Sequence, residues 1–107
     1  MKKAKVICMC GSLKYTDLLM QETERLTLEG YNVISVIYET KTRDAYSEAD
    51  IRLFEELHFQ KIELADAIFV VNKEGHIGEG TMRDIEYAKQ LGKEILYMEK
   101  VPQKILE

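Results

Sequence analysis

This sequence has few of the residues from which several familiar kinds of site are built. Two cysteines and two histidines are all it carries in 107 residues. Cys8 and Cys10 stand two apart on a predicted strand, so they share a face, and a bridge between them would be strained. With His58 and His76 as the only imidazoles, no zinc spacing is formed. Neither cysteine begins a Cys-x5-Arg phosphatase loop, which leaves them, Cys10 above all, as small buried hydrophobes. Positive charge is in deficit, with 15 Lys and Arg against 19 Asp and Glu. That balance argues against a non-specific nucleic-acid binder, which needs a basic face. No apolar stretch approaches a membrane span, and Met1-Lys2-Lys3 leads straight into a short strand instead of a signal peptide's apolar region. The expectation is a cytoplasmic protein with neither a nucleic-acid nor a membrane partner.

Internal repeats, low-complexity runs and linkers are missing too, so residues 1–107 read as one domain. A domain of this size is small for an enzyme that encloses its substrate alone. A second copy, most simply in a homodimer centred on the helix from Ser47 to Leu64, is expected to complete the site.

What the chain does have is concentrated between Asp66 and Met98. Ala67, Ile68, Phe69, Val70 and Val71 form an unbroken apolar run, which suits a strand covered on both faces. It stops at Asn72. Gly75, Gly78 and Gly80 follow within six positions, directly before a helical pattern and a second apolar strand. Glycines there let a ligand approach the backbone, and the free N–H groups of a helix start attract anions such as phosphate. Standard fingerprints are not matched: Arg83 stands where a dinucleotide loop has its third glycine, and no Walker A lysine is present. No cofactor is implied.

Earlier in the chain, Ala4 to Cys10 predicts a first strand that ends on Cys10-Gly11-Ser12, a turn able to lie under a phosphate. A helix from Tyr15 to Glu29 follows, with Leu18, Leu19, Leu26 and Leu28 as its apolar side and Gly30 at its end. Tyr31 to Tyr38 is the second strand. The polar segment Glu39 to Tyr46 reads as a solvated surface loop, although Lys41 and Arg43 there could meet an anion. Ser47-Glu48-Ala49-Asp50 is a capping-box variant opening a helix to Leu64. Ile51, Phe54, Leu57, Ile62 and Ala65 mark its buried stripe, with His58 upon it. Glu99 to Glu107 is a tail holding Pro102, the only proline.

Four strands with helices between them predict an α/β fold: a three-layer, doubly wound, flavodoxin-like or Rossmann-like parallel sheet in the order 2-1-3-4. The switch point then falls between strands 1 and 3, and ligands bind beyond their carboxyl ends. Gly11, Ser12 and the Gly75 to Gly80 loop border that crevice. A response regulator shares the topology, but Asn72 and Gly11-Ser12 stand where it needs aspartate and an acidic pair.

Cys10-Gly11-Ser12, Leu64-Ala65-Asp66 and the run GEGTMRDIEYAKQLGK together resemble the nucleoside 2-deoxyribosyltransferase superfamily, which includes small deoxynucleoside monophosphate N-glycosidases. The resemblance implies a small-molecule nucleoside or nucleotide as substrate and attack by a carboxylate on the anomeric carbon, giving a covalent glycosyl-enzyme. It places the nucleophile, normally glutamate, on Asp84. The assisting aspartate falls on His58, eight residues before Asp66, and a tyrosine of strand 1 falls on Cys8. Substrate or phosphate contacts are implied at Cys8, Gly11, Ser12, Gly75, Gly78, Gly80 and Thr81. Asp is one methylene shorter than Glu, roughly 1.5 Å of reach. Asp84 also has a bland reading as the fourth residue of a capping box begun by Thr81. A catalytically degenerate module that binds a nucleotide or phosphosugar is therefore the alternative to an enzyme.

Overall fold

The computed structural model describes residues 2–100; Pro102 lies outside them. The strands are β1 (Val6–Gly11), β2 (Asn32–Ile34), β3 (Ala67–Val71) and β4 (Glu94–Tyr97), and the main helices are α1 (Thr16–Leu28), α2 (Glu48–Leu64) and α3 (Glu79–Gln90). All strand pairs are parallel, in the order β2-β1-β3-β4. This is the doubly wound α/β sheet expected from the alternation of strand and helix patterns.

Alternation along the two central strands divides the core. Ile7, Met9, Ala67, Phe69 and Val71 pack with Leu19 and Leu26 of α1. Cys8, Cys10, Ile68 and Val70 point the other way, against Ile62 of α2 and Ile85 and Ala88 of α3. Helices thus cover both faces, which is why β3 is apolar at every position. The cysteines share a face as their spacing predicts, and both are free and buried.

Helix ends follow local chemistry. Gly30, at φ +100°, ends α1 in a Schellman turn, with Tyr31 N–H donating to the Leu26 carbonyl and Gly30 N–H to that of Thr27. Ser47 opens α2 with the expected capping box, its hydroxyl accepting from Asp50 N–H while Asp50 accepts from Ser47 N–H.

Four expectations need correction. The second strand stops at Ile34, because from there the chain leaves β1; the Ser35 carbonyl accepts instead from Lys61 Nζ of α2 at 3.0 Å. Leu28 is 82% exposed and Leu57 38% exposed. Leu28 sits about 200° around its helix from Leu26, and Leu57 about 140° from Ile62, at ~100° per residue. Fourth, α3 starts at Glu79 with Gly78 as N-cap, so Thr81 is no cap. Thr81, Ile85 and Ala88 are its buried residues, an i, i+4, i+7 stripe that begins a turn earlier than the capping-box reading allows. Among the described residues no helix is long and apolar enough to cross a membrane.

Asn72 closes the carboxyl end of β3. It is wholly buried, and its amide donates to the Glu99 carbonyl at 3.0 Å and accepts from Glu99 N–H at 2.8 Å. Replacing Asn72 with Ala leaves both Glu99 groups without this partner, and the expected loss is about 1–3 kcal/mol of unfolding free energy. Urea denaturation checks this; a midpoint equal to wild type would show that the contact carries no stability.

Candidate functional site

Beyond the carboxyl ends of β1 and β3 lies a cavity of about 380 Å³, within the usual range for small-molecule sites. Gly11 and Ser12 form its floor at the end of β1, Gly78 to Thr81 one wall at the start of α3, and Phe54, Glu55, His58 and Phe59 of α2 another. Val36, Ile37, Glu39 and Arg43 come from the segment after β2, and Arg83 and Asp84 from α3. A cavity at the switch point of the sheet is where this topology places ligands.

Each glycine there has its own reason. A Cβ on Gly11 would come within 3.2 Å of Val71 Cβ and 3.3 Å of its carbonyl oxygen, so β3 would have to give by a few tenths of an ångström to admit a side chain there. At Gly78 and Gly80 a Cβ would meet only side-chain atoms at ordinary contact distance, His76 at 3.9 Å and Arg83 at 3.8 Å. Protein packing does not demand glycine at either position. Gly78 caps α3 without a side-chain hydrogen bond, so N–H groups of the first turn have no intrahelical partner and border the cavity. Ser12 caps the short 3-10 turn Leu13–Tyr15, accepting from Lys14 N–H at 3.3 Å.

Charges around the cavity are largely matched. Arg43 pairs with Glu39 at 2.7 Å and Arg83 with Glu55 at 3.1 Å. In the Asp84–His58 pair both members are mostly sheltered, with side chains 15% and 14% exposed. His58 Nε2 lies 3.4 Å from Asp84 Oδ2 and 3.5 Å from Cys10 Sγ. Burial works against a charged imidazole, but the hydrogen bond and negative charge of Asp84 outweigh it and raise the His58 pKa above its ordinary value. Cys10 is held well above the usual thiol range by its hydrogen bond with Cys8, by burial and by the charge of Asp84. A thiol so held is a poor nucleophile.

The structure thus brings Gly11, Ser12, His58, Gly78, Gly80, Thr81 and Asp84 to one cavity. Gly75 and Cys8 are not part of its wall: Gly75 serves the turn after β3 at φ +78°, and Cys8 is buried beneath the sheet. Asp84 is the sixth residue of α3, beyond the first turn where the helix dipole favours a carboxylate. Its place is better accounted for by His58 than by capping. Phe54, Phe59, Glu79 and Arg83 were not legible as site residues. The helical spacing of Phe54, His58 and Asp84's partner face is the one signal that could have joined them. Arg43, read as a solvated loop residue, reaches the wall but is paired with Glu39.

No protein-family model matches this chain, and no curated protein matches it. Among solved structures it is similar to a 2-desoxiribosyltransferase from Leishmania mexicana, with a TM-score of 0.56 and 22% sequence identity. The similarity covers 87% of this chain and 63% of the other. At that identity what is shared is the fold, and the chain spans under two thirds of the other protein's length.

A raised histidine pKa has a defined sign. Any stability from protonated His58 beside Asp84 is fully present below the unfolded histidine value and is lost as pH rises through the folded one. In an NMR titration His58 is expected to have its midpoint above that of an ordinary histidine. Asp84→Asn should lower the midpoint, because the group that chiefly opposes burial is then removed. An unchanged midpoint in the variant would show that the pair is not coupled.

Proposed function

We propose that this protein cleaves or transfers the N-glycosidic bond of a nucleoside or nucleotide, with Asp84 as nucleophile and His58 as its positioning partner. The observation that carries the reading is the sheltered Asp84–His58 pair at 3.4 Å on the wall of a 380 Å³ cavity beside two glycines that packing does not require. The shared fold with a 2-desoxiribosyltransferase supports it.

In this chemistry a carboxylate oxygen of Asp84 forms a bond to the anomeric carbon as the bond from that carbon to the base nitrogen breaks. The electron pair of the broken bond leaves with the base, which takes its proton from solvent. Water or a second base then attacks the same carbon and returns the carboxylate, so configuration is retained overall. His58 orients Asp84 across the 3.4 Å contact between Nε2 and Oδ2. Gly11, Ser12 and the amides of Gly78 to Thr81 are placed to receive the sugar or its 5′-phosphate. A second reading, a module that binds such ligands without turnover, draws support from the short reach of Asp84 and its engagement with His58.

Deoxynucleosides and their monophosphates incubated with the protein should release free base, followed by chromatography. Asp84→Asn should lower the rate by on the order of 10³-fold or more while ligand-induced thermal shifts persist. Asp84→Glu should keep or raise it, because the extra methylene restores about 1.5 Å of reach. Thermal shifts without base release from wild type would favour the binding module.

We infer that a second copy of the chain packs on the outer face of α2. Leu53, Leu57 and Leu64 are exposed on α2 and fall within about 40° of one another around the helix, opposite buried Ile62. An apolar stripe of that kind marks a contact surface. Sedimentation at micromolar concentration should show a dimer that a Leu53→Glu, Leu57→Lys double variant converts to monomer. A monomeric wild type with ligand bound would overturn the inference.

A further inference from the structure

We propose that Cys8, Cys10 and His58 form a site for a soft divalent metal ion of the zinc class, set beneath the cavity. Sequence spacing conceals it, since the two thiols come from β1 and the imidazole from α2. Folding brings the two sulfurs and a ring nitrogen within 4.8 Å of one another. Cysteines at alternate positions of a strand supply two ligands from one face, and α2 crosses that face with His58 toward them.

The Cys10–His58 distance agrees with tetrahedral coordination. Metal–sulfur and metal–nitrogen bonds of about 2.3 and 2.0–2.1 Å at a tetrahedral angle put sulfur and nitrogen about 3.5 Å apart. Cys10 Sγ and His58 Nε2 are 3.5 Å apart. His58 Nε2 also lies 3.4 Å from Asp84 Oδ2, although that carboxylate stands outside the cluster of three ligand atoms. One nitrogen therefore faces a sulfur and a carboxylate together. A single N–H gives a full hydrogen bond to one of them, and a bare Nε2 accepting from the thiol would leave the carboxylate facing it without a donor. A cation between the two sulfurs and Nε2 would engage that nitrogen's lone pair and both thiolates.

The same geometry disfavours a thiol nucleophile. A Cys-His-Asp relay uses the two ring nitrogens separately, whereas here Cys10 and Asp84 meet the same one, and Cys10 is wholly buried. His58 is the one member of the cluster on the cavity wall, so access would be from that side. Two thiolates and an imidazole favour zinc-like ions over magnesium or calcium, which prefer oxygen. This inference goes beyond the proposed glycosidic chemistry and does not rest on it, but it shares His58. An ion there takes Nε2 away from Asp84, so the metal-loaded protein would be the inactive form.

Reduced, chelator-treated full-length protein titrated with Co²⁺ should develop thiolate-to-cobalt charge transfer in the near ultraviolet and strong visible bands of tetrahedral cobalt. Both should saturate at one ion per chain and be bleached by Zn²⁺. Cys8→Ala and Cys10→Ala, checked for folding by circular dichroism, should each lose the stoichiometric band, and Asp84→Asn should keep it. X-ray absorption on the wild-type zinc form, expected to show two sulfur neighbours and an imidazole nitrogen, decides the matter if the alanine variants do not fold. A weak octahedral cobalt spectrum, or zinc with only nitrogen and oxygen neighbours, would overturn the site. Lack of base release would count against the glycosidic reading and leave the cobalt spectrum unchanged.

Discussion

Burial of β1 and β3 on both faces is the constraint from which the rest of this structure follows. A parallel strand in the middle of a three-layer sandwich has no solvent side, so every side chain must meet a helix. Ile7 and Met9 meet α1, while Cys8 and Cys10 meet α2 and α3. The strands run in one direction, and their carboxyl ends come to a common edge. There β1 hands over to Gly11-Ser12 and β3 to Asn72, and the chain departs toward opposite faces of the sheet. A crevice results from the connectivity itself.

Into that crevice the fold brings groups of unlike origin. The start of α3 contributes free backbone amides, and its second turn contributes Asp84. The middle of α2 contributes His58, which stands between the carboxylate and the thiol layer of the core. Its two polar neighbours differ in kind: Asp84 belongs to the cavity, and Cys10 to the interior. An imidazole at such a boundary takes part in whichever chemistry its ring nitrogen is given, proton or metal.

Much of the scaffold could be read from local signals, because those signals act over a few residues. The apolar run of β3, the Schellman turn at Gly30 and the Ser47–Asp50 capping box are all settled by neighbours in sequence. Errors arose where two local patterns competed. Thr81 to Asp84 has the form of a capping box, yet the helix begins at Glu79, because burying Thr81, Ile85 and Ala88 together outweighs one cap. Leu28 and Leu57 are apolar, but helical angle turns both outward. The second strand ended early because its carbonyl found Lys61 of α2, a partner 26 residues away.

Sequence by itself determined the kind of fold, the strand order and the edge at which the cavity forms, since these depend on hydrophobic period, connection length and chain handedness. Only the tertiary structure decided what the site contains. Asp84, His58 and Cys10 come from three elements and are set at 3.4 and 3.5 Å by the way α2 and α3 pack on one face of β1. No spacing along the chain encodes those distances. They arise from helix packing against a sheet, where burial of apolar side chains elsewhere fixes the positions of the polar groups between them.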